Sequence, residues 1–217
     1  MFFAEWFPTP LLKDTLEPPD DVRQGMIDYV VNEERVKGIG KRSYLGDNLG
    51  SSSIHQHSCF DWLNKEVGRC AHAYLNKLGC DTENVNIYAQ KSWAVILKEG
   101  GCVYRHTHKN SVLSAVYYLQ IPTVSGGGEI TFWSPNKLHD LPIVSNEKTI
   151  VSAPSFHDVP QENGLIMFPS NLVHSVSNFE MKELQRISIS YDITPCFNNS
   201  SMENEHWIMD PSFWTKL

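Results

Sequence analysis

Nine histidines occur among the 217 residues, and three of them are spaced so that they could act together. His106 and His108 flank Thr107 at the end of an alternating apolar segment, and His174 opens a later one. Residues i and i+2 of a strand face the same side, so both rings of the His106/His108 pair can point into an interior. His174 on a neighbouring strand would complete a three-ligand face. Such a face leaves coordination positions open, the arrangement associated with non-haem Fe(II) when two histidines and a carboxylate are the protein ligands. A second His-x-His, His55 and His57 around Gln56, means that the bare pattern occurs twice and is weak evidence by itself. His55, His57, His72, His139, His157 and His206 are read as loop or surface histidines, with the His55/His57 loop able to rim a pocket.

The second constellation is Arg186-Ile187-Ser188-Ile189-Ser190-Tyr191. Alternation sets Ile187, Ile189 and Tyr191 on one face and Arg186, Ser188 and Ser190 on the other. If the polar face is interior, the guanidinium needs an anion, because an unpaired buried charge is strongly unfavourable. A ligand carrying a carboxylate would satisfy it. If the strand is at an edge, Arg186 lies in water and no ligand is required. Tyr118 shares its parity with Ser114 and Val116, and that parity runs back to His106 and His108 if a hairpin keeps register through Lys109 and Asn110. Tyr118 can equally be a core tyrosine with a bonded hydroxyl.

These residues need a scaffold, and the hydrophobic periodicity supplies one. A short amphipathic helix is expected from about Asp20 to Val31, then a Gly/Ser/Asn-rich loop over Gly38 to Ser53. A longer helix is expected from about Cys59 to Leu78. Ser58 and Asp61 would form its capping box, and Gly79 would close it. Its stripe is Phe60, Leu63, Val67, Cys70, Ala71, Tyr74, Leu75 and Leu78. Thereafter the period changes to two. Strands are expected at Val85–Ala89, Ser92–Leu97, Val103–His106, Leu113–Gln120, Glu129–Trp133, Thr149–Ala153, Leu165–Phe168, His174–Ser177 and Arg186–Asp192. Short strands behind a helical preface predict a mainly β chain with flanking helices, a jelly-roll or similar closed double sheet. The expected single domain divides into helical support (1–84), a β core (85–195) and a polar-then-aromatic tail (196–217) containing Trp207, Phe213 and Trp214.

Composition narrows the function classes. At 217 residues the chain is long enough to bury a sizeable core without disulfide or metal staples. A net charge of −7 argues against a binder of nucleic-acid phosphates. Five cysteines with no C-x-x-C pair suit a reducing compartment and are read as free thiols, mostly in the core. The apolar start lacks a basic leader, and no apolar run is long enough to span a bilayer, so a cytoplasmic protein without membrane contact is expected.

The order of motifs resembles a known family. Tyr104-Arg-His-Thr-His108, Ser114-Ala-Val-Tyr-Tyr-Leu119, Gly126-Gly-Gly-Glu-Ile-Thr-Phe132, Gly164-Leu-Ile-Met-Phe-Pro-Ser170, His174 and Arg186-Ile-Ser188 together resemble the Fe(II)/2-oxoglutarate-dependent oxygenases. Within these the chain is most similar to the prolyl-hydroxylase-like branch and its small members from bacteria and phages, whose starts resemble Phe7-Pro-Thr-Pro10. The resemblance covers about Ser92 to Asp192. It implies a double-stranded β-helix with Fe(II) held by His106, His108 and His174. It also implies that Arg186, assisted by Ser188 and Tyr118, pairs with the distal carboxylate of 2-oxoglutarate. The family usually has Asp or Glu where this chain has His108. Glu129 is the nearest candidate for a replacement carboxylate, with a structural place after the Gly126–Gly128 turn as the other reading.

The implied reaction consumes O2 and 2-oxoglutarate, releases succinate and CO2, and hydroxylates a C–H bond. The substrate would be a residue of a protein or peptide, possible targets including proline, or a small molecule. Tyr104, Trp93 and Trp133 are candidates to line the substrate approach, and each could instead be wall packing. The chain is expected to act as a monomer or homodimer. Two other functions fit the same residues: a three-histidine, cupin-type dioxygenase without 2-oxoglutarate, and a non-catalytic jelly-roll that binds a ligand or partner.

Overall fold

The computed structural model describes residues 8–37, 52–122, 126–135, 152–197 and 215. Most of the Gly38–Ser53 loop, His139, His206 and the tail aromatics Trp207, Phe213 and Trp214 lie outside the described residues.

Helix α1 (Asp20–Lys37) starts directly after Pro18-Pro19 and carries Asp20 and Asp21 in its first turn, where the helix dipole favours negative charge. It runs beyond the expected end at Val31 and buries Met26 and Val30. Helix α2 (Asp61–Lys77) buries Leu63, Val67, Cys70, Ala71, Tyr74 and Leu75 of the expected stripe, and Phe60 just before it is buried too; Leu78, also expected there, lies past the last helical residue and is exposed. The expected capping box is absent. Ser58–Phe60 forms a 3₁₀ turn, so the α-helix begins two residues later than expected, behind Phe60, whose side chain offers no cap. Gly79 ends the helix at φ +80°, a conformation that glycine adopts without steric cost.

The described residues form nine strands: β1 (Leu12–Thr15), β2 (Val85–Leu97), β3 (Val103–His106), β4 (Leu113–Gln120), β5 (Ile130–Trp133), β6 (Ser155–Asp158), β7 (Gly164–Pro169), β8 (His174–Val176) and β9 (Arg186–Phe197). Two strands expected on either side of Gln90-Lys91 are one continuous β2, with a bulge between Ala89 and Lys91 that shifts the pairing register. The strand expected at Thr149–Ala153 is not found where described: Ser152 and Ala153 are not in a strand, and β6 begins at Ser155. β1 was not expected, being four residues with a polar alternation, and exists because β7 offers it an edge.

The strands form two sheets, ordered β1-β7-β4-β9-β2 and β3-β8-β5-β6, with every named pairing antiparallel. They face each other as a double-stranded β-helix, the expected jelly-roll. One face of the five-stranded sheet, with Leu113, Ala115, Tyr117, Leu165, Met167, Ile187, Ile189, Tyr191 and Ile193, packs on α1 and α2 in the main core. The alternate residues look toward the four-stranded sheet. Tyr118, Ile166 and Phe168 meet Ile130, Phe132 and Leu172 there, while Trp93, Val95 and Leu97 meet Val103 and Phe179. The functional side chains lie in this inter-sheet space. The five cysteines, expected mostly in the core, are in no disulfide among the described residues, and only Cys70 and Cys196 are buried. No described helix is long and apolar enough to cross a membrane.

Candidate active site

His106 on β3 and His174 on β8 are direct cross-strand partners, which brings their rings to 4.2 Å between centroids. His108 lies just beyond β3, where its backbone N–H donates to the Ser170 carbonyl (2.9 Å). One ring nitrogen from each histidine falls within 4.8 Å of the others. Hydrogen bonding decides which nitrogen this is. His106 Nδ1 donates to the Tyr104 carbonyl (2.7 Å) and His174 Nδ1 to the Leu172 carbonyl (2.9 Å). His108 Nδ1 meets the Asp192 carboxylate. A carbonyl or carboxylate only accepts, so each Nδ1 carries the proton and each Nε2 presents a lone pair. His106 Nε2 and His108 Nε2 are 3.2 Å apart. Two acceptors so close fit around a shared cation. Burial holds both His106 and His174 below the usual histidine pKa, His174 down to about 3, so both stay in the neutral form that ligates metals. Phe168 (4.8 Å between centroids) and Phe132 (6.3 Å) wall His174 on its apolar side.

Arg186 lies further along the same interior face of β9. It is 2% exposed, and neither Nε nor Nη1 has a hydrogen-bond partner in the protein. Its guanidinium carbon sits 4.8 Å from the centroid of the Tyr118 ring, whose buried hydroxyl also lacks a partner. Burial lowers the Arg186 pKa and pushes the Tyr118 hydroxyl up to about 12. Ser188 is directly opposite Tyr118 across the β4–β9 pairing and is 2% exposed. Gly128, at φ +79°, lies so close that a Cβ there would meet Arg186 Cδ at 3.3 Å. Two orphaned guanidinium donors and an orphaned hydroxyl in one buried cradle suit a carboxylate. The edge-strand alternative for Arg186 is therefore overturned: β9 is internal, between β4 and β2.

The structure thus brings together His106, His108 and His174 at one level and Arg186, Ser188 and Tyr118 at another. The expected route was different. β3 and β4 are not a hairpin in register; they belong to opposite sheets, and Asn110 turns the chain between them at φ +68°. Tyr118 faces the cavity because opposing sheets share it. Trp93, 6% exposed, packs against His108 at 5.4 Å between centroids. Trp133 alternates with the inward Phe132, donates to Ser175 Oγ (3.3 Å) and carries Arg105 on its ring, on the face away from the histidines. Tyr104 is exposed, and its backbone carbonyl is what touches His106. Glu129 accepts from Ser177 Oγ and takes no part in the triad. The carboxylate that does reach the triad is Asp192, which is not among the residues singled out by motif or spacing. Its signal was present: Asp192 continues the parity of Arg186, Ser188 and Ser190.

Residues 91–192 match the family profile described as "Putative 2OG-Fe(II) oxygenase". The match spans just under half of the chain and marks it as similar to the 2-oxoglutarate–Fe(II) oxygenases. Its fold is also theirs. A Pseudomonas putida prolyl-4-hydroxylase superposes with a TM-score of 0.56 at 12% identity, over 86% of this chain and 93% of the other. The 2-oxoglutarate complex of the viral collagen prolyl hydroxylase from Paramecium Bursaria Chlorella virus-1 gives 0.51 at 17%, over 84% and 94%. HygX from Streptomyces hygroscopicus, solved with nickel and 2-oxoglutarate, gives 0.53 at 9%, over 86% and 82%. No curated protein matches the sequence. The residues of this chain fit the two groups that such oxygenases hold: three facing imidazole lone pairs could hold a divalent metal, and the Arg186 cradle suits a carboxylate.

Proposed function

We propose that the chain is a 2-oxoglutarate–Fe(II) oxygenase that hydroxylates a C–H bond, with His106, His108 and His174 holding Fe(II) through Nε2 and Arg186, Ser188 and Tyr118 receiving the distal carboxylate of 2-oxoglutarate. The observation that carries this reading is the pair of unpartnered donors on the buried Arg186, in the same inter-sheet space as the histidine cluster. Bound there, the metal and the keto acid supply the O2 activation that a protein side chain cannot.

The residues of the chain have separate tasks. Arg186 orients the keto acid by two charge-assisted hydrogen bonds and sets the depth to which it enters. Tyr118 and Ser188 offer hydroxyls beside the guanidinium and fix its rotation. The Nδ1 bonds of the three histidines hold each ring in the tautomer that ligates. Phe132, Phe168 and Trp93 exclude water from that side, which protects a reactive centre from side reactions. The balanced reaction converts 2-oxoglutarate, O2 and R–H to succinate, CO2 and R–OH. The prolyl-hydroxylase-like fold supports a residue of a peptide or protein as R–H, proline among the candidates, with a small molecule as the other class to screen.

Anaerobic titration of the metal-free protein with Fe(II), then 2-oxoglutarate, tests this directly. The weak visible charge-transfer band of a chelated keto acid is the expected result. Iron binding without the band overturns the Arg186 assignment; no iron binding overturns the site.

A further inference from the structure

Resting on the metal reading above, we infer that Asp192 is a positioning residue that acts through His108 and takes over, from one bond further out, the charge of the carboxylate ligand this site lacks. His108, Asp192 and Ser114 form a closed group. The Asp192 carboxylate meets His108 Nδ1, and Ser114 Oγ lies 3.3 Å from that carboxylate and 3.2 Å from the same ring nitrogen. Ser114 is fully buried and is held in turn by Ser170 Oγ (2.9 Å), which Ser111 Oγ holds at 2.9 Å. The side chains of His108 and Asp192 are 10% and 13% exposed, so solvent screens the pair little.

His106 and His174 lean on neutral backbone carbonyls, and His108 alone leans on an anion. Three neutral imidazoles leave the full double charge of a divalent ion uncompensated. A carboxylate hydrogen-bonded to a ligand imidazole raises that ligand's basicity and brings one negative charge into the site, and loss of such a partner typically lowers metal affinity by about 10–100-fold. Asp192 and Ser114 are Cα partners across the β4–β9 pairing, so the arrangement follows from sheet register.

The test uses the full chain and Co(II) as probe, read by its visible ligand-field bands. Asp192→Asn keeps an acceptor and removes the charge, whereas Asp192→Ala removes both. The expected order of affinity is wild type, then Asn at about 10–100-fold weaker, then Ala, with altered band positions in both variants. Equal affinity and unchanged bands in Asp192→Asn overturn the inference and leave the metal reading standing. Failure of the wild type to bind Co(II) overturns both, and His174→Ala, expected to abolish binding, checks that the triad is the site. Should the Asp192 variants not fold, histidine nitrogen NMR of the Zn(II)-loaded wild type decides: His108 with its proton on Nδ1 supports the inference, and Nδ1 without a proton overturns it.

Discussion

Replacing Arg186 by Met removes the buried guanidinium and keeps an unbranched chain that fills most of its space, so the change isolates charge and hydrogen bonding from packing. Two donors, Nε and Nη1, have no protein partner and are available to a ligand carboxylate. A hydrogen bond to a charged group contributes about 1.5–3 kcal/mol, so losing two weakens 2-oxoglutarate binding by about 3–6 kcal/mol, roughly 10²–10⁴-fold. Thermal unfolding of the Fe(II)-loaded protein under nitrogen reads this. At 2-oxoglutarate near 100 times its wild-type dissociation constant, the ligand stabilises the native state by about 2.7 kcal/mol. For a chain of this size that raises the midpoint by roughly 5–10 °C. The variant should rise by less than about 2 °C at the same concentration, while its stabilisation by Fe(II) alone is retained. An equal rise in both proteins would refute the assignment of Arg186 as the keto-acid anchor. Loss of the Fe(II) effect would show that the two levels of the site are not separable.

Gly128→Ala places a side chain at φ +79° and a Cβ 3.3 Å from Arg186 Cδ. A left-handed non-glycine residue costs about 1–2 kcal/mol, so a midpoint lower by several degrees together with weaker 2-oxoglutarate binding is expected from thermal melts. Phe168→Ala, at a site with no exposure beside Phe132 and His174, should cost about 3–5 kcal/mol in urea unfolding. The Arg69 guanidinium, 2.6 Å away, holds Asp14 below its usual 3.8. A depressed carboxyl pKa stabilises the fold above 3.8, and the gain is lost as pH falls through the lower folded value. Asp14→Asn should therefore flatten the acid limb of the stability curve, by less than about 1 kcal/mol because both side chains are more than a third exposed. A stability difference that grows as the pH falls would contradict that sign.

How much was legible in the sequence follows from which interactions are local. Alternation along β9 sets Arg186, Ser188 and Ser190 against Ile187, Ile189 and Tyr191, and the structure keeps that division because a strand can present only two faces. The stripe of α2 was equally visible, since its spacing is a property of the helix alone. The polar face of β9 was legible, but not what it faced: burial of Arg186 depends on β4 and β2 flanking β9, a fact of sheet order. The three-histidine cluster was suggested by spacing, yet the cross-strand pairing of His106 with His174 belongs to sheet register. Tyr118 was placed correctly by a wrong route, because the turn at Asn110 sends β3 and β4 to opposite sheets.

Asp192 shows the limit most clearly. It shares the parity of Arg186 and so faced the cavity on sequence grounds, but its partner is His108, 84 residues away. Chain-local patterns determine which side chains share a face, because backbone geometry repeats every two or 3.6 residues. Which faces meet is decided by packing two sheets and two helices around shared cores, and that assembly alone places a carboxylate behind one histidine and leaves two guanidinium donors without a partner.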